Sequence, residues 1–382
     1  MLLAIKWLRR GCLAGIVLCL VIISLVSLTP QGRSAFKAAL FVSQVLEVPI
    51  KPQKWFVSDP IIEEVHYTPP HGQGIADIYR INDDHKRAGL LLFLGVNPAG
   101  RNDARVRNLG NALARAGFVV MVPWSESMIE KRIDIREIDN LISAFQYLQG
   151  QEFIDADRVG MAGFCVGASM LAVAASHPSI NRQVNFLNFF GGYYDAQDLL
   201  KQISARTSFY NSNIRLWEPN SLTMEVFTNQ LIQSLENPME KELLNLHFNN
   251  KLNKTSLTSQ QLSSEAYSVF QLLSGSSLET TDKFVKQLPA NLLTNLNMIS
   301  PSTNIQNLLA KVLIMHDRED DLVPSEEAHR FADALEQRGD FHYTEFSFFD
   351  HIDPTRKVRF TTYITESVKL YRHMYKVVRF AN

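Results

Sequence analysis

Short apolar runs alternate with helix-like stretches along most of this chain, and this rhythm limits the possible fold more than any other feature. Residues 90–94 read Leu-Leu-Leu-Phe-Leu, an uninterrupted apolar run typical of a strand buried on both faces. Residues 102–116 have helical spacing, and Gly117 ends them before the next apolar run at 118–122. Strands that alternate with helices predict an α/β fold, in which helices cover both faces of a mostly parallel central sheet.

The same rhythm defines the domain boundaries. Further strands are predicted at 61–67, 75–81, 158–162, 184–190, 311–316 and 341–348. Between about 195 and 309 the chain is rich in Asn, Gln, Ser and Leu, with helical spacing and no convincing strands. We therefore predict one α/β domain from residues 61–195 and 305–382, interrupted by a helical cap insertion at 196–304.

The N-terminus carries the features of a membrane anchor. Lys6, Arg9 and Arg10 precede an uncharged apolar run at residues 11–28, close to the roughly 20 residues that a transmembrane helix needs. A cleavable signal peptide is the alternative, but the run is long for one and residues 27–30 offer no small-x-small cleavage site. We predict a single-pass anchor at residues 1–30.

Basic residues before the span predict a cytoplasmic N-terminus, with the rest of the chain exported to the periplasmic side of a bacterial inner membrane. Arg33 and Lys37 follow the span and weaken this bias. Residues 31–60 are apolar with spaced lysines, which indicates a juxtamembrane helix and linker. A segment that packs on the domain fits the same pattern equally well.

Charge and cysteine content exclude two classes of protein. The formal net charge is −1 and no long basic run is present, which argues against a nucleic-acid partner. Cys12 and Cys19 lie in the apolar run, so a disulfide framework is not expected. Cys165 is then either a small buried hydrophobic residue or a reactive thiol.

Residues 163–167 read Gly-Phe-Cys-Val-Gly and join a predicted strand to a predicted helix. This is the G-x-nucleophile-x-G pattern of a nucleophile elbow with cysteine as the nucleophile. The turn is tight, so the residues two positions away must be small, and the helix N-terminus favours a thiolate. A structural cysteine in a glycine-rich turn is the alternative interpretation of Cys165.

An acid and a histidine follow in the order that such elbows require. The loop after the strand at 311–316 contains Asp317, Asp320 and Asp321, and the D-x-x-V-P spacing favours Asp320. His351 comes directly after the last predicted strand, where a general base would reach the thiol. His316, at a strand end, is interpreted as a structural residue. The predicted catalytic triad is therefore Cys165, His351 and Asp320.

The oxyanion donors and the pocket are predicted from the neighbouring loops. One donor is the backbone N–H of Val166, directly after the nucleophile. The second is assigned to Val96 in the Gly-Val-Asn-Pro-Ala-Gly loop at 95–100, with Phe93 and Leu94 as alternatives. Asn97, Trp124 and Tyr193 are tentative pocket residues, although the two aromatic residues fit plain packing as well. No metal or cofactor is expected.

These motifs resemble those of the dienelactone hydrolase family of α/β-hydrolases. The Gly-Phe-Cys-Val-Gly-Ala sequence at 163–168 is similar to the family's elbow, residues 95–97 to its first oxyanion loop, and Asp320 and His351 to its acid and base. The likeness covers roughly residues 61–195 and 305–375. It implies an α/β-hydrolase fold that hydrolyses an ester or lactone through a thioester intermediate, without a cofactor.

The chain also departs from that family. Leu92 stands where the family has a glutamate that contacts the resting cysteine, and residues 122–128 lack the family's substrate-binding arginine. Dienelactone itself is therefore not expected as the substrate. The sequence predicts a membrane-anchored hydrolase of small esters or lactones. The alternatives are a membrane acyltransferase and an inactive α/β-hydrolase-fold binding module.

Overall fold

The computed structural model describes residues 24, 28–46, 51–249 and 260–382. Ten strands are present in this part of the chain: β1 (Ile61–Tyr67), β2 (Gly74–Arg80), β3 (Arg87–Phe93), β4 (Phe118–Trp124), β5 (Ile154–Phe164), β6 (Val184–Phe190), β7 (Thr207–Tyr210), β8 (Asn213–Leu216), β9 (Lys311–Asp317) and β10 (Phe341–Phe346). Eight of them form one sheet in the order β1-β2-β4-β3-β5-β6-β9-β10. β2 pairs antiparallel with both β1 and β4, and every other pair in this sheet is parallel.

Helices cover both faces of the sheet. Those in the described residues are α1 (Pro30–Val45), α2 (Gln53–Phe56), α3 (Ala104–Ala116), α4 (Glu126–Ile129), α5 (Glu137–Gln149), α6 (Val166–Ala175), α7 (Ala196–Ala205), α8 (Ser221–Ser234), α9 (Pro238–Asn249), α10 (Ser264–Ser274), α11 (Leu278–Val285), α12 (Ala290–Met298), α13 (Pro301–Asn304), α14 (Glu326–Leu335) and α15 (Phe360–Val378). One core cluster joins α5, α6 and α14 to the sheet, and a second joins α1, α3 and α15 to the opposite face. This is an α/β-hydrolase-like architecture, as the sequence predicted.

The central strands form where the sequence is apolar without interruption. Leu90, Leu91 and Leu92 of β3 are all fully buried, because helices lie on both sides of this strand. α6 is buried along its whole length, and its Gly and Ala residues allow it to lie close against β5. The sheet therefore holds the start of α6 at the carboxyl ends of β5 and β3, the edge where ligands bind in open α/β sheets.

The segment between β6 and β9 contains helices α7 to α13, as predicted, and also strands. The expectation that it lacks strands is wrong, because β7 and β8 form an antiparallel hairpin. The hairpin is only four residues long on each side, and a signal this short is hard to separate from a loop. Helices α7, α8 and α12 lie over the carboxyl edge of the sheet, where they help to enclose the cavity described below.

The segment before β1 packs on the domain, the second of the two interpretations that the sequence left open. Ala38, Phe41 and Val42 of α1 are buried in the second core cluster. Lys37 donates a hydrogen bond to the Asn382 side chain (2.7 Å), and Gln53 donates one to the carbonyl of Ala112 (2.8 Å). α1 is therefore part of the folded body.

The predicted anchor at residues 1–30 lies outside the described residues except for Ser24 and Leu28–Pro30. Among the helices of the described residues, none combines the length and the apolar character needed to span a bilayer.

Candidate active site

A tight turn joins β5 to α6 and contains the candidate nucleophile. β5 ends at Phe164, α6 begins at Val166, and Cys165 between them has φ 53° and ψ −139°. A Cβ atom on Gly163 would lie 2.5 Å from the Cα atom of Ala168, and one on Gly167 would lie 2.5 Å from the Gly95 nitrogen. Both positions therefore require glycine, as the elbow pattern predicted. The turn places the Cys165 thiol at the N-terminus of a helix.

The loop after β3 lies directly against this turn. Gly95 has a positive φ of 72°, and a Cβ atom there would lie 2.6 Å from the Gly167 nitrogen. Val96 and Val166, the two predicted oxyanion donors, line the same cavity as Cys165. Val166 is the first residue of α6, so its N–H has no acceptor within the helix. The structure thus places both predicted donor residues in the wall of the cavity that Cys165 also lines.

Asp320 and His351 form a buried hydrogen-bonded pair. The Nδ1 atom of His351 lies 2.7 Å from Oδ2 of Asp320, and donates its proton to that carboxylate oxygen. The other oxygen, Oδ1, accepts hydrogen bonds from the backbone N–H groups of Leu322 (2.8 Å) and Val323 (3.1 Å). These bonds fix the carboxylate, which in turn fixes the imidazole orientation and tautomer, with Nε2 as the free nitrogen.

The two rival acids on this loop have other partners. Asp317 forms a salt bridge with Arg356 (2.6 Å) and accepts a hydrogen bond from the Phe349 N–H (2.8 Å). Asp321 accepts a hydrogen bond from the side chain of Asn220 (3.1 Å). Of the three candidate aspartates, the structure places Asp320 against His351.

The charges of this pair stabilise each other. Burial alone would raise the pKa of Asp320, but the positive charge of His351 and hydrogen bonds from His316 and His351 lower that pKa below its ordinary value. Burial alone would lower the pKa of His351, but electrostatic interactions and hydrogen bonding with Asp320 and Cys165 outweigh burial and raise that pKa above its ordinary value. The site therefore favours a protonated imidazole beside two acidic groups.

The second ring nitrogen of His351 is available for chemistry. Nε2 is buried and has no partner with normal hydrogen-bond geometry among the described residues, while Cys165 is close enough for its charge to act on the ring. Contacts between a base and a nucleophile are often long without a substrate. The Nε2 atom of His316, by contrast, lies 2.9 Å from the Val323 carbonyl oxygen and 3.4 Å from Oδ2 of Asp320. These contacts are consistent with its interpretation as a structural residue.

Two residues near the pair were not identified from the sequence. A Cβ atom on Gly191 would lie 3.1 Å from Cε1 of His351 and 3.5 Å from Oδ2 of Asp320. Trp217, in the insertion, donates a hydrogen bond from its indole to the Asp320 carbonyl oxygen (2.8 Å). The only local sequence signal for Gly191 was a pair of glycines at the end of a strand. Trp217 had no local signal, because its role depends on how the insertion folds over the loop that contains Asp320.

A cavity of about 100 Å³ opens beside Cys165. Tyr193 lines it, as predicted for the pocket. Asn97 and Trp124 do not; they line a separate small cavity beside β4, and the Trp124 indole donates a hydrogen bond to Asp77 (2.9 Å). The predicted pocket is thus only partly brought together, and most of its walls come from the insertion.

Within the described residues, no group of three or more His, Cys, Asp or Glu side chains is arranged to hold a metal ion.

Comparison with known proteins gives one curated relative and many distant structures. No family model matches the chain. A protein from Bradyrhizobium sp, named as a probable 2-oxo-3-(5-oxofuran-2-ylidene)propanoate lactonase, is 29% identical over 96 residues. The match covers 21% of this chain and 39% of that protein, so the chain spans well under half the length of this relative.

The solved structures are more distant in sequence. The Pyrococcus horikoshii acylaminoacyl peptidase is 12% identical, with a TM-score of 0.49, over 85% of this chain and 41% of that one. An esterase from Pyrobaculum calidifontis is 12% identical, with a TM-score of 0.47, over 95% of this chain and 97% of that one. Likenesses this distant do not identify an activity.

Proposed function

We propose that this protein hydrolyses esters or lactones, thioesters included, through a covalent intermediate on Cys165. The observation that carries the proposal is the buried His351–Asp320 pair, 2.7 Å apart, beside a cysteine held at a strained strand-to-helix turn. A nucleophile, a base oriented by a third group and two backbone donors are the parts that acyl transfer requires. The lactonase name of the Bradyrhizobium relative supports the same class of substrate.

In the proposed reaction, Nε2 of His351 holds the proton that Cys165 gives up, and the Sγ thiolate attacks the carbonyl carbon. The carbonyl oxygen becomes an oxyanion that the N–H groups of Val166 and Val96 stabilise. The tetrahedral intermediate then collapses, and the alkoxide leaves with the proton that His351 returns to it. His351 next takes a proton from water, the hydroxide attacks the thioester, and the acid is released with the free thiol.

Activity assays with point variants test the proposal. The full chain in detergent micelles is incubated with p-nitrophenyl acetate, beside Cys165→Ala, His351→Ala and the matched control His66→Ala, whose ring lies exposed on β1. We expect losses of about 10³-fold or more in the two site variants and wild-type turnover in the control. Turnover that survives in Cys165→Ala would contradict the proposal.

Mass spectrometry of the enzyme during turnover distinguishes the alternative functions. A transient acyl adduct on Cys165 that water removes is expected of a hydrolase. Transfer of the acyl group to an added alcohol in preference to water would instead identify an acyltransferase. No adduct with any activated ester would favour a binding module.

We further propose that residues 11–28 attach the protein to a membrane and leave the catalytic domain on the exported side. The uncharged apolar run and the basic residues before it support this. Membrane fractionation with carbonate extraction, followed by protease treatment of intact spheroplasts, tests it. Full recovery of the chain in the soluble fraction would contradict attachment, and protection from protease would contradict the orientation.

A further inference from the structure

We propose that the cavity beside Cys165 binds an uncharged apolar acyl chain and excludes acyl groups that carry a carboxylate. The inference rests on the proposed function, because it assumes that the group in the cavity is the one transferred to Cys165. It goes further by assigning the class of acyl group from the walls of the cavity.

Among the described residues, no charged side chain lines this cavity. Its walls are aliphatic and aromatic residues from the loop after β3, from α6 and from the insertion helices, and their polar members besides the thiol are Tyr193, Thr223 and Gln230. Most of the surface belongs to the insertion, including Leu199, Val226 and Leu296. These walls, as described, offer neither lysine nor arginine to neutralise a bound carboxylate.

The three polar side chains already have hydrogen-bond partners within the protein. Thr223 donates its hydroxyl proton to the Leu322 carbonyl (3.0 Å), and Tyr193 donates to the Ile299 carbonyl (3.3 Å). The amide of Gln230 both accepts from and donates to the backbone of Ile133, at 3.3 Å each. Each of these contacts also joins a residue of the insertion to a residue outside it. A bound acyl chain therefore meets apolar surface and side chains whose hydrogen bonds are already made.

Walls of this kind favour apolar acyl groups over acyl groups that carry a charge. An alkyl chain gains about 0.8 kcal/mol for each methylene that it buries. A carboxylate in the same place would lose its hydration without gaining a cation or a donor, which strongly disfavours its binding. Only the reacting carbonyl needs polar contacts, and the two predicted backbone donors lie beside the thiol. The cavity is thus suited to saturated or unsaturated acyl chains and lactones with alkyl substituents.

A matched pair of esters tests the inference on the full-length protein in detergent micelles. p-Nitrophenyl butyrate and p-nitrophenyl hemisuccinate have acyl groups of equal carbon number that differ in a terminal carboxylate. We expect kcat/KM at least 100-fold lower for the hemisuccinate. From acetate to butyrate to hexanoate we expect kcat/KM to rise about tenfold at each step, as burial of two methylenes predicts.

A cavity-filling variant links the preference to these walls. Val226→Trp on α8 should lower the ratio of hexanoate to acetate turnover at least tenfold. Met298→Trp is the matched control, because Met298 is 48% exposed on α12 and does not line the cavity. It should leave both rates unchanged. If Val226→Trp does not fold, the ester series on the natural chain still decides.

The possible outcomes separate the two proposals. Turnover of acetate by Cys165, with no gain for hexanoate or with hemisuccinate as fast as butyrate, would overturn the assignment of the acyl group and leave the proposed hydrolase intact. Absence of turnover and of Cys165 acylation with acetate itself would overturn the proposed function, and this inference with it.

Discussion

Two residues of the candidate site, Cys165 and His351, have backbone conformations that L-amino acids rarely adopt. Among the described residues, five non-glycine residues have positive φ, and these two are among them, at 53° and 56°. Each such residue costs on the order of 1–3 kcal/mol and persists only where the surrounding structure holds it. Here the close packing of Gly163, Gly167 and Gly95 holds the first of them. Strain at the nucleophile and at the base is consistent with a site built for chemistry.

Gly191 is expected to be required for the position of the histidine. Gly191→Ala would place a methyl group 3.1 Å from His351 Cε1, so the ring must move by a few tenths of an ångström. We expect kcat/KM to fall about 10- to 100-fold, since a misplacement of about 1 Å can cost 100-fold. The control is Gly339→Ala, which has a similar φ of 67° and no neighbour within 4 Å among the described residues. Both variants should lose roughly 1–2 kcal/mol of stability from the left-handed backbone; equal activity in the two would contradict the prediction.

Asp320→Asn is expected to abolish most of the activity without unfolding the chain. It removes the largest influence that opposes burial, the negative charge of Asp320, so the pKa of His351 should fall. The amide also orients the imidazole less strictly, and a loss of about 10³- to 10⁴-fold in kcat is expected. NMR titration of His351 and the pH profile of kcat/KM are the measurements. Asp321→Asn, which weakens a contact to Asn220, should behave as wild type; comparable losses in both variants would argue against Asp320 as the orienting acid.

At the scale of elements, the sequence predicted features whose causes are local. The strand at 184–190 was predicted with the bounds that β6 has, because apolar residues fill five of its seven positions, as is typical of a strand covered on both faces. The elbow was recognisable because its tight turn requires small residues two positions before and two positions after the nucleophile. The hairpin of β7 and β8 was missed, and Asn97 and Trp124 lie away from the cavity. Pocket walls depend on how the insertion folds over the sheet, and no local pattern encodes that contact.

Glu327 on α14 joins three elements and makes their contact sensitive to pH. Its carboxylate accepts hydrogen bonds from the N–H groups of Tyr194 and Asp195 (3.0 Å each), after β6, and from Gln202 of α7 (2.7 Å). Burial raises its pKa to about 7, although the charge of Arg330 and these backbone donors oppose the rise. The carboxylate thus holds the base of the insertion against the sheet.

The folded state therefore binds a proton at Glu327 more tightly than the unfolded chain, whose glutamate has a pKa near 4.5. Stability should fall as pH rises from about 4.5 to 7, by up to roughly 3 kcal/mol, and level off above that. Glu327→Gln should remove this component. Denaturant midpoints between about pH 5 and 8 are the measurement, and Glu326→Gln, next to it in α14, should keep the wild-type decline. Identical slopes for both variants would show that Glu327 does not titrate in this range.

On the scale of the whole molecule, the segment between the predicted anchor and β1 belongs to the fold. α1 packs on α15 and α3, burying Phe41 at 3% exposure and Val42 at 7%. Asn382, the last residue, bonds to Lys37 and to the Ser34 hydroxyl (3.0 Å) of this helix. The position of α1 relative to the sheet is thus fixed by packing and by hydrogen bonds to the end of the chain.

Removal of α1 is expected to destabilise the entire domain. A chain that begins at residue 58 loses the burial of Leu40, Phe41, Val42 and Leu46, each worth about 1.5–3 kcal/mol, and exposes the apolar faces of α3 and α15. The sum approaches the whole stability of a typical domain, about 5–15 kcal/mol, so this chain should aggregate or unfold at low denaturant.

A chain that begins at residue 28 keeps the Thr29 cap, whose side chain accepts from the Gly32 N–H (3.0 Å), and should stay folded. Phe41→Ala in that longer chain should cost about 3–5 kcal/mol. Equal denaturant midpoints for the two truncated chains would contradict this prediction and show that α1 adds nothing to the stability of the domain.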